Sequence, residues 1–104
     1  MNRANLTILN HEGDTAEANV MLEGDLVISN LSEIKNHLLK MIDRQGPVKI
    51  TLKNVDRLDV SFVQLLIAFK KAADNGRPLR IDLEDSEYIN NWFALAGLDK
   101  KIFN

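Results

Sequence analysis

The sequence predicts one mixed α/β domain, in which a small sheet of about four or five strands is flanked by three or more helices. Segments whose apolar residues alternate, as in strands, take turns along the chain with segments whose apolar residues recur every three or four positions, as in helices. The 104 residues suffice for a modest single core, and no linker or low-complexity tract divides them. We therefore treat residues 1–104 as one domain.

The first part of the chain predicts two strands and a helix. Strand-like segments at 5–10 and 17–23 flank a turn at His11–Asp14. The helix follows in LSEIKNHLLKMIDRQ and ends at Gly46–Pro47. One face of this helix is apolar and is formed by Leu31, Ile34, Leu38, Met41 and Ile42.

A third strand and a second helix are predicted next. VKITLKNV, residues 48–55, alternates apolar and polar residues, which indicates a strand covered on one face. After a connection over Asn54–Asp59, the second helix begins at Ser61 and stops at Asn75–Gly76. No charge falls between Ser61 and Phe69, so this helix either lies centrally in the core or exposes an apolar surface to a partner.

The last predicted elements are a strand in LRIDLE, residues 79–84, and a third helix that begins at Ser86. Gly97 closes that helix, and Leu98 is suited to the apolar contact that often accompanies a glycine-terminated helix. Because strands and helices alternate, we expect right-handed crossovers and a parallel or mixed sheet.

Composition excludes several classes of partner and compartment. The formal net charge of -2 provides no basic surface for nucleic acid or for an anionic membrane. No segment approaches the length of a membrane span, and the first residues hold no apolar run of signal-peptide length, so we expect no membrane insertion. Cysteine is absent, which fits a reducing compartment and excludes disulfides and thiolate metal sites. We expect a cytoplasmic protein.

Residue types that support catalysis or metal binding are sparse. The glycines are scattered rather than grouped into a phosphate-binding loop, and the two histidines, His11 and His37, lie far apart in the sequence. The acidic stretch Asp82–Glu87 could suggest a cation site, but acidic residues are also typical of a strand end and a helix start. A catalytic pair of His37 and Ser61, brought together only by the fold, stays open. We predict no catalytic residue, no metal site and no cofactor, and therefore no enzyme.

The segment RLDVSFVQLL, residues 57–66, places polar residues at the start of the most apolar helix. Ser61 and Gln64 have the spacing of a capping box, in which the serine oxygen accepts the backbone N–H of Gln64. Asp59 lies just ahead of the helix, where a negative charge is favoured by the helix dipole. Ser61 is also a candidate phosphorylation site, because a hydroxyl at an exposed helix start is accessible to a kinase.

Three stretches resemble a known family in register, from about residue 20 to residue 103. They are LEGDLVISNLSEIKNHLLKMI, VKITLKNVDRLDVSFVQLLIAFKKAADNGRPLRIDL and NWFALAGLDKKIF. They resemble the STAS domain, named for sulfate transporters and anti-sigma factor antagonists, and Gln64–Leu66 resembles its branch associated with chemotaxis and lipid transport. The resemblance implies a single STAS-like domain without catalysis of its own. It also implies a protein partner, commonly a serine kinase that is also an anti-sigma factor, which phosphorylates the start of the second helix.

The chain departs from the family pattern at this helix start. The resemblance implies an aspartate, then a phosphorylated serine or threonine, then a small residue and a glycine. Asp59 matches the aspartate, but Val60 occupies the phosphoacceptor position, Ser61 the small position and Phe62 the glycine position. Because valine cannot carry phosphate, the usual switch is missing at position 60.

We expect a non-enzymatic bacterial regulatory module, similar to an anti-sigma factor antagonist, that docks a protein partner through Asp59, Val60, Ser61 and Phe62. Asp59 would supply charge and Phe62 an apolar contact. The partner would be a serine kinase, an anti-sigma factor or another signalling protein. Two alternatives stay open: phosphorylation moves to Ser61, or the chain is a constitutive subunit of a lipid transporter or a chemotaxis array. The sequence leaves homodimerisation open.

Overall fold

The computed structural model of the chain describes residues 3–10, 18–43, 47–73 and 79–103. Its strands are β1 (Ala4–Asn10), β2 (Ala18–Leu26), β3 (Val48–Leu58) and β4 (Leu79–Leu83). Its helices are α1 (Leu31–Asp43), α2 (Val60–Ala73) and α3 (Glu87–Ala96). Short 3₁₀ helices lie at Ile28–Asn30, before α1, and at Lys100–Phe103, after α3.

A few sequence predictions fall outside the described residues. They concern the turns at His11–Asp14 and Asn75–Gly76, the first residue of the predicted second strand, Glu17, the helix end at Gly46 and the side chain of Ile42.

The strands form one mixed sheet in the order β1-β2-β3-β4. β1 is antiparallel to β2, whereas β2, β3 and β4 are parallel to one another. Parallel neighbours need a crossover connection, which α1 provides between β2 and β3 and α2 provides between β3 and β4. The predicted mixed α/β fold is confirmed. The carboxyl ends of β2 and β3 therefore lie side by side at one end of the sheet, and each strand is followed there by a helix.

One face of the sheet is buried against the helices. Alternate residues of β2 and β3 are buried there, namely Val20, Leu22, Ile50 and Leu52. Helix residues join the same apolar cluster, including Ile34, Leu38 and Met41 of α1, Phe62, Val63, Leu66 and Phe69 of α2, and Ile89 and Phe93 of α3. The apolar face predicted for α1 is thus confirmed for its described side chains, with Leu31 partly buried against the cluster. The next residues along the strands, such as Met21 and Thr51, are only half-buried.

The predicted connection over Asn54–Asp59 is wrong, because β3 continues to Leu58. Its pairing with β2 slips twice, so that Leu22 pairs with Leu52, Gly24 with Val55 and Asp25 with Arg57. Asn54 takes a positive φ of 52° at the first slip. The Glu84 carboxylate accepts the N–H groups of Asn54, at 3.1 Å, and of Val55, at 3.0 Å. These bulges break the two-residue alternation, so the sequence resembles a loop where the chain is a strand.

Both predicted ends of α3 are confirmed. The hydroxyl of Ser86 accepts the N–H of Ile89 at 3.1 Å, which caps the start of the helix. Gly97 takes a left-handed φ of 71°, and the N–H of Leu98 donates to the carbonyl of Phe93 at 2.9 Å. This pair of features is the glycine-terminated end that the sequence predicted.

Gly24 and Gly97 provide a matched pair of substitutions, since both have a positive φ. Gly97→Ala should lower the free energy of unfolding by about 1–2 kcal/mol, because a Cβ is strained in this conformation but meets no atom there. Gly24→Ala should cost at least about 1 kcal/mol more. Its Cβ would overlap the Arg3 carbonyl oxygen, which accepts the N–H of Asp25 at 3.0 Å.

Urea unfolding of the two variants and the unchanged chain would measure this difference. Equal costs for Gly24→Ala and Gly97→Ala would contradict the close approach of residue 3 to β2.

Candidate functional site

The Asp59 carboxylate organises the start of α2. Its Oδ1 accepts the Ser61 hydroxyl at 2.6 Å and the backbone N–H of Phe62 at 3.1 Å. Its Oδ2 accepts the backbone N–H of Ile28 at 2.7 Å. The Asp59 carbonyl accepts the N–H of Val63 at 3.3 Å, the first bond of the helix. Asp59 is therefore the residue that caps α2.

The predicted capping box of Ser61 and Gln64 is wrong. The helix begins at Val60, one residue earlier than predicted, so Asp59 rather than Ser61 takes the cap position. Ser61 lies inside the first turn and its hydroxyl donates to Asp59 instead of accepting from Gln64. The partner of that hydroxyl is a carboxylate and not His37, so no activated serine is formed in the described contacts.

Hydrogen bonds lower the pKa of Asp59. Desolvation raises the pKa of the carboxyl group, but the bond from the Ser61 hydroxyl and those from the N–H groups of Ile28, Phe62 and Ser61 outweigh it. The pKa of Asp59 therefore lies below its ordinary value, and the group is ionised at neutral pH. All of these donors then point at a full negative charge, which strengthens each bond.

Three further segments converge on the same point. The N–H of Asp59 donates to the Leu26 carbonyl at 3.2 Å, which joins the ends of β2 and β3. The N–H of Leu58 donates to the hydroxyl of Tyr88 at 2.9 Å, which brings in α3. These bonds thus connect β2, β3, the 3₁₀ turn after β2 and two helices.

Apolar side chains surround this polar junction on the outside. Ile28 is 67% exposed and Val60 is 52% exposed, and Tyr88 is exposed as well. We call Ile28, Asp59, Val60, Ser61 and Tyr88 the helix-start surface. Exposed apolar side chains that lie together, especially with polar residues around them, are typical of a surface that contacts another molecule.

Phe62 does not belong to this surface. It is 0% exposed and is among the largest fully buried side chains of the core. The expectation that its ring contacts a partner needs correction, because the third residue of α2 faces the sheet. Truncating Phe62 would remove core packing rather than a binding contact.

The sequence did not indicate Ile28 or Tyr88 as site residues. Ile28 follows the last residues of β2 in a short apolar run, and its exposure depends on the 3₁₀ turn that Asp59 holds. Tyr88 lies 30 residues from its bonding partner, Leu58. The local signals of this surface were Asp59, Val60 and Ser61, at the positions where the family resemblance implies an aspartate, a phosphoacceptor and a small residue.

The acidic stretch Asp82–Glu87 is structural in its described contacts. Asp82 pairs with Lys49 at 3.2 Å, and Glu84 caps the bulge in β3. Asp85 accepts the side-chain amide of Asn90 at 2.9 Å. Within residues 3–10, 18–43, 47–73 and 79–103, no three His, Cys, Asp or Glu side chains are placed to hold a metal ion. No helix of those same residues is long and apolar enough to cross a membrane.

A buried carboxylate, Asp25, lies near the end of β2. It is 2% exposed, and its Oδ2 lies 3.6 Å from the exposed Arg57 guanidinium. The Asp25 carbonyl accepts the side-chain amide of Asn30 at 2.8 Å, which holds the 3₁₀ turn against β2. Asp25 thus contributes to the support beneath the helix-start surface.

The chain was compared with models of known protein families. A family model described as "Mlab, STAS domain" matches residues 10–103. No curated protein matches the chain.

Asp59→Ala should lower the free energy of unfolding at neutral pH. The lost helix cap accounts for about 0.5–2 kcal/mol. The N–H of Ile28 also loses its acceptor, which costs about 1 kcal/mol more. The free energy of unfolding of Asp59→Asn should lie between those of Asp59→Ala and the unchanged chain, because the amide keeps one of the two acceptor oxygens of the carboxylate. Urea unfolding measures all three.

The cost of Asp59→Asn should also depend on pH. Because the pKa of Asp59 is lower in the folded chain, its contribution to stability is present above the unfolded pKa and is lost as pH falls through the folded pKa. The difference in the free energy of unfolding between the unchanged chain and Asp59→Asn should therefore shrink as the pH falls from neutral to about 3. A difference that stays constant would contradict the ionised cap.

Proposed function

The chain belongs to the STAS domain family, a family of regulatory binding modules, and on that premise we propose that it is a non-enzymatic module of a bacterial signalling pathway. It docks a protein partner through the helix-start surface, in the manner of an anti-sigma factor antagonist. The partner is a serine kinase, an anti-sigma factor or another signalling protein. The observation that carries this proposal is an apolar side chain, Val60, 52% exposed at the first position of α2.

Val60 and Ile28 give the surface its apolar contact. The Asp59 carboxylate accepts the N–H of Ile28 and that of Phe62, in the helical turn that Val60 begins. Two exposed branched side chains on either side of Asp59 offer a partner a small apolar contact, with the polar groups of Asp59 and Ser61 beside it. Ile28 takes the role that the sequence assigned to Phe62.

The hydrogen bonds of Asp59 support binding in a second way. They fix the first turn of α2, the 3₁₀ turn after β2 and the end of β3 before any partner arrives. A surface that is already ordered loses little conformational entropy on binding, which favours affinity. Asp59 itself is half-buried and saturated with donors, so its role is to hold the surface rather than to pair with a partner's cation.

Val60 also defines how the module is regulated in this proposal. Position 60 is where the STAS resemblance implies a phosphorylated hydroxyl, and valine has none. No phosphate can be added at position 60, so the surface stays able to bind. Binding is then controlled by the concentration or the state of the partner.

Phosphorylation of Ser61 is less compatible with these contacts. The Ser61 hydroxyl lies 2.6 Å from Asp59 Oδ1 and is partly buried. A phosphate there would add about two negative charges beside an ionised carboxylate. It would break the bond that helps to cap α2, so we propose that Ser61 stays unmodified.

Val60→Glu should weaken partner binding by about tenfold or more, because it replaces an apolar contact with a charge. Affinity purification from the native host supplies the partner, and titration of the purified pair gives Kd. The matched control is Leu95→Glu, the same substitution at a side chain 89% exposed on α3. Both variants should keep the melting temperature of the unchanged chain. Equal effects of the two on Kd would contradict the helix-start surface.

The assignment of position 60 is checked with the same partner and ATP. If the partner is a kinase, Val60→Thr should acquire a phosphate and lose binding, and the unchanged chain should acquire none. Mass spectrometry locates the modified residue. Phosphate on Ser61 of the unchanged chain would establish the alternative switch instead.

A second function, a constitutive subunit of a larger assembly, is favoured by a groove between α1 and α2. The groove is a cavity of about 260 Å³ and its described lining is almost wholly apolar. It is lined by Lys35, Leu39, Leu65, Ala68, Phe69 and Ala72. Leu39 is 44% exposed there. Such a groove is suited to permanent cover by a helix of another subunit, as in a lipid transporter or a chemotaxis array.

The constitutive function predicts that the isolated chain self-associates at micromolar concentration and that Leu39→Glu relieves this. The regulatory module predicts a monodisperse chain that Leu39→Glu leaves unchanged. Size-exclusion chromatography with light scattering distinguishes the two. A monodisperse unchanged chain would exclude the constitutive subunit.

A further inference from the structure

β4 is the last strand of the sheet among the described residues, and its outer side is flanked by the 3₁₀ helix Lys100–Phe103 rather than by another described strand. The N–H of Glu84 donates to the Leu52 carbonyl of β3 at 3.0 Å. Backbone groups of successive residues in a strand point in opposite directions, so those of Asp82 and Glu84 face β3 and those of Ile81 and Leu83 face outward. Leu79 lies two residues before Ile81, so its backbone groups point to the same side. Its carbonyl accepts the Lys70 ammonium at 2.6 Å and not a donor of β3, which agrees with an outward direction.

The outward N–H and C=O groups of Ile81 and Leu83 have no hydrogen-bond partner among the described residues. Unpaired backbone groups at a sheet edge are a template for one more strand. The binding of an extended peptide at such an edge is a common mode of recognition, in which main-chain bonds give affinity and flanking pockets give specificity.

Two cavities lie along this edge. One, of about 340 Å³, is lined by Ile81, Asp82, Leu83, Lys100 and Lys101. The other, of about 270 Å³, is lined by Lys70, Arg80, Ile81, Asp82 and Phe103. They share Ile81 and Asp82, so they follow one another along the strand. An extended segment beside β4 would therefore pass both cavities.

The described lining of both cavities is strongly basic, although the chain as a whole is slightly acidic. It carries four cationic side chains and one carboxylate. That carboxylate, Asp82, is already paired with Lys49 at 3.2 Å. Arg80 and Lys101 are exposed, whereas Lys70 and Lys100 donate to Leu79 and Asn90. The charge at this edge therefore favours an acidic ligand.

We propose that the outer edge of β4 binds an extended acidic segment of a partner protein, which joins the sheet as an additional strand. The segment alternates apolar and acidic residues. Its apolar side chains continue the buried face that ends at Ile81 and Leu83, and its carboxylates lie against Arg80 and Lys101. This edge is separate from the helix-start surface, and the inference does not depend on the proposed function.

A second copy of the chain is a poor occupant of the same edge. Pairing two β4 edges would bring the arginine and lysine side chains of both copies together, and like charges across a strand pair are destabilising. Lysines at an edge thus prevent self-association and still admit a partner of opposite charge.

The probe is a short fluorescent peptide in which valine and glutamate alternate, titrated into the full chain. We expect binding, with the largest amide NMR shifts at Ile81 and Leu83. Arg80→Glu combined with Lys101→Glu should weaken binding of the peptide by about tenfold or more. The matched control is Arg3→Glu combined with Lys40→Glu, an exposed arginine beside β1 and an exposed lysine of α1, which should leave the affinity unchanged. No binding, or shifts centred on Val60, would overturn the proposal.

Strand addition is separated from plain charge attraction by two N-methylated peptides. Both keep the charge of the probe. One lacks the N–H donors of its odd-numbered residues, and the other lacks those of its even-numbered residues. One peptide should lose binding and the other should keep it, because only one set of N–H groups faces β4. Equal affinity of the two peptides, or equal binding of a peptide with lysine in place of glutamate, would overturn the proposal.

Discussion

The bonds made by one carboxylate, that of Asp59, set the geometry of the junction. A single residue separates the last residue of β3 from the first residue of α2. That residue must accept the unpaired N–H groups at the helix start and also the N–H of the turn after β2. A carboxylate has enough lone pairs for both tasks, and Asp59 divides them, with Oδ1 toward the helix and Oδ2 toward Ile28. The outward position of the Val60 and Ile28 side chains follows from these bonds.

Glu84 likewise provides a carboxylate for unpaired backbone N–H groups, at the bulge that precedes the end of β3. The bulge at Asn54 turns two N–H groups away from β2, and the Glu84 carboxylate accepts both. Without an acceptor these groups would be left unpaired beside a half-buried strand, which is costly. The bulge lengthens β3 and shifts its register, so that Leu58 reaches Tyr88 and Asp59 reaches Leu26. Two carboxylates from different parts of the chain therefore position the helix-start surface.

Sequence patterns predicted the elements whose determinants are local. Alternation located β4 and the first half of β3, three- and four-residue spacing located the helices, and the Ser86 and Gly97 signals located both ends of α3. The second half of β3 was missed because its bulges break the alternation and its acceptor, Glu84, lies 30 residues from Asn54. The cap of α2 was misplaced because the Ser61–Gln64 spacing is a valid local signal, whereas the end of β3 decides which residue takes the cap position. Phe62 was expected on the surface because it stands at the family's glycine position in the docking stretch, but as the third residue of α2 its ring enters the core.

The identity of residue 60 has different consequences for stability and for binding. At the first position of α2 the side chain is half in solvent, and the bonds that fix this helix start are made by Asp59 to Ile28, Phe62 and Val63. A threonine or a serine would fit there without changing those bonds, so the fold does not require valine. An exposed valine also contributes little to stability, because less than half of its surface is removed from water. Under the proposed function, valine is therefore retained for what the surface binds: it keeps an apolar contact at a position where a phosphate would otherwise be placed beside an ionised aspartate.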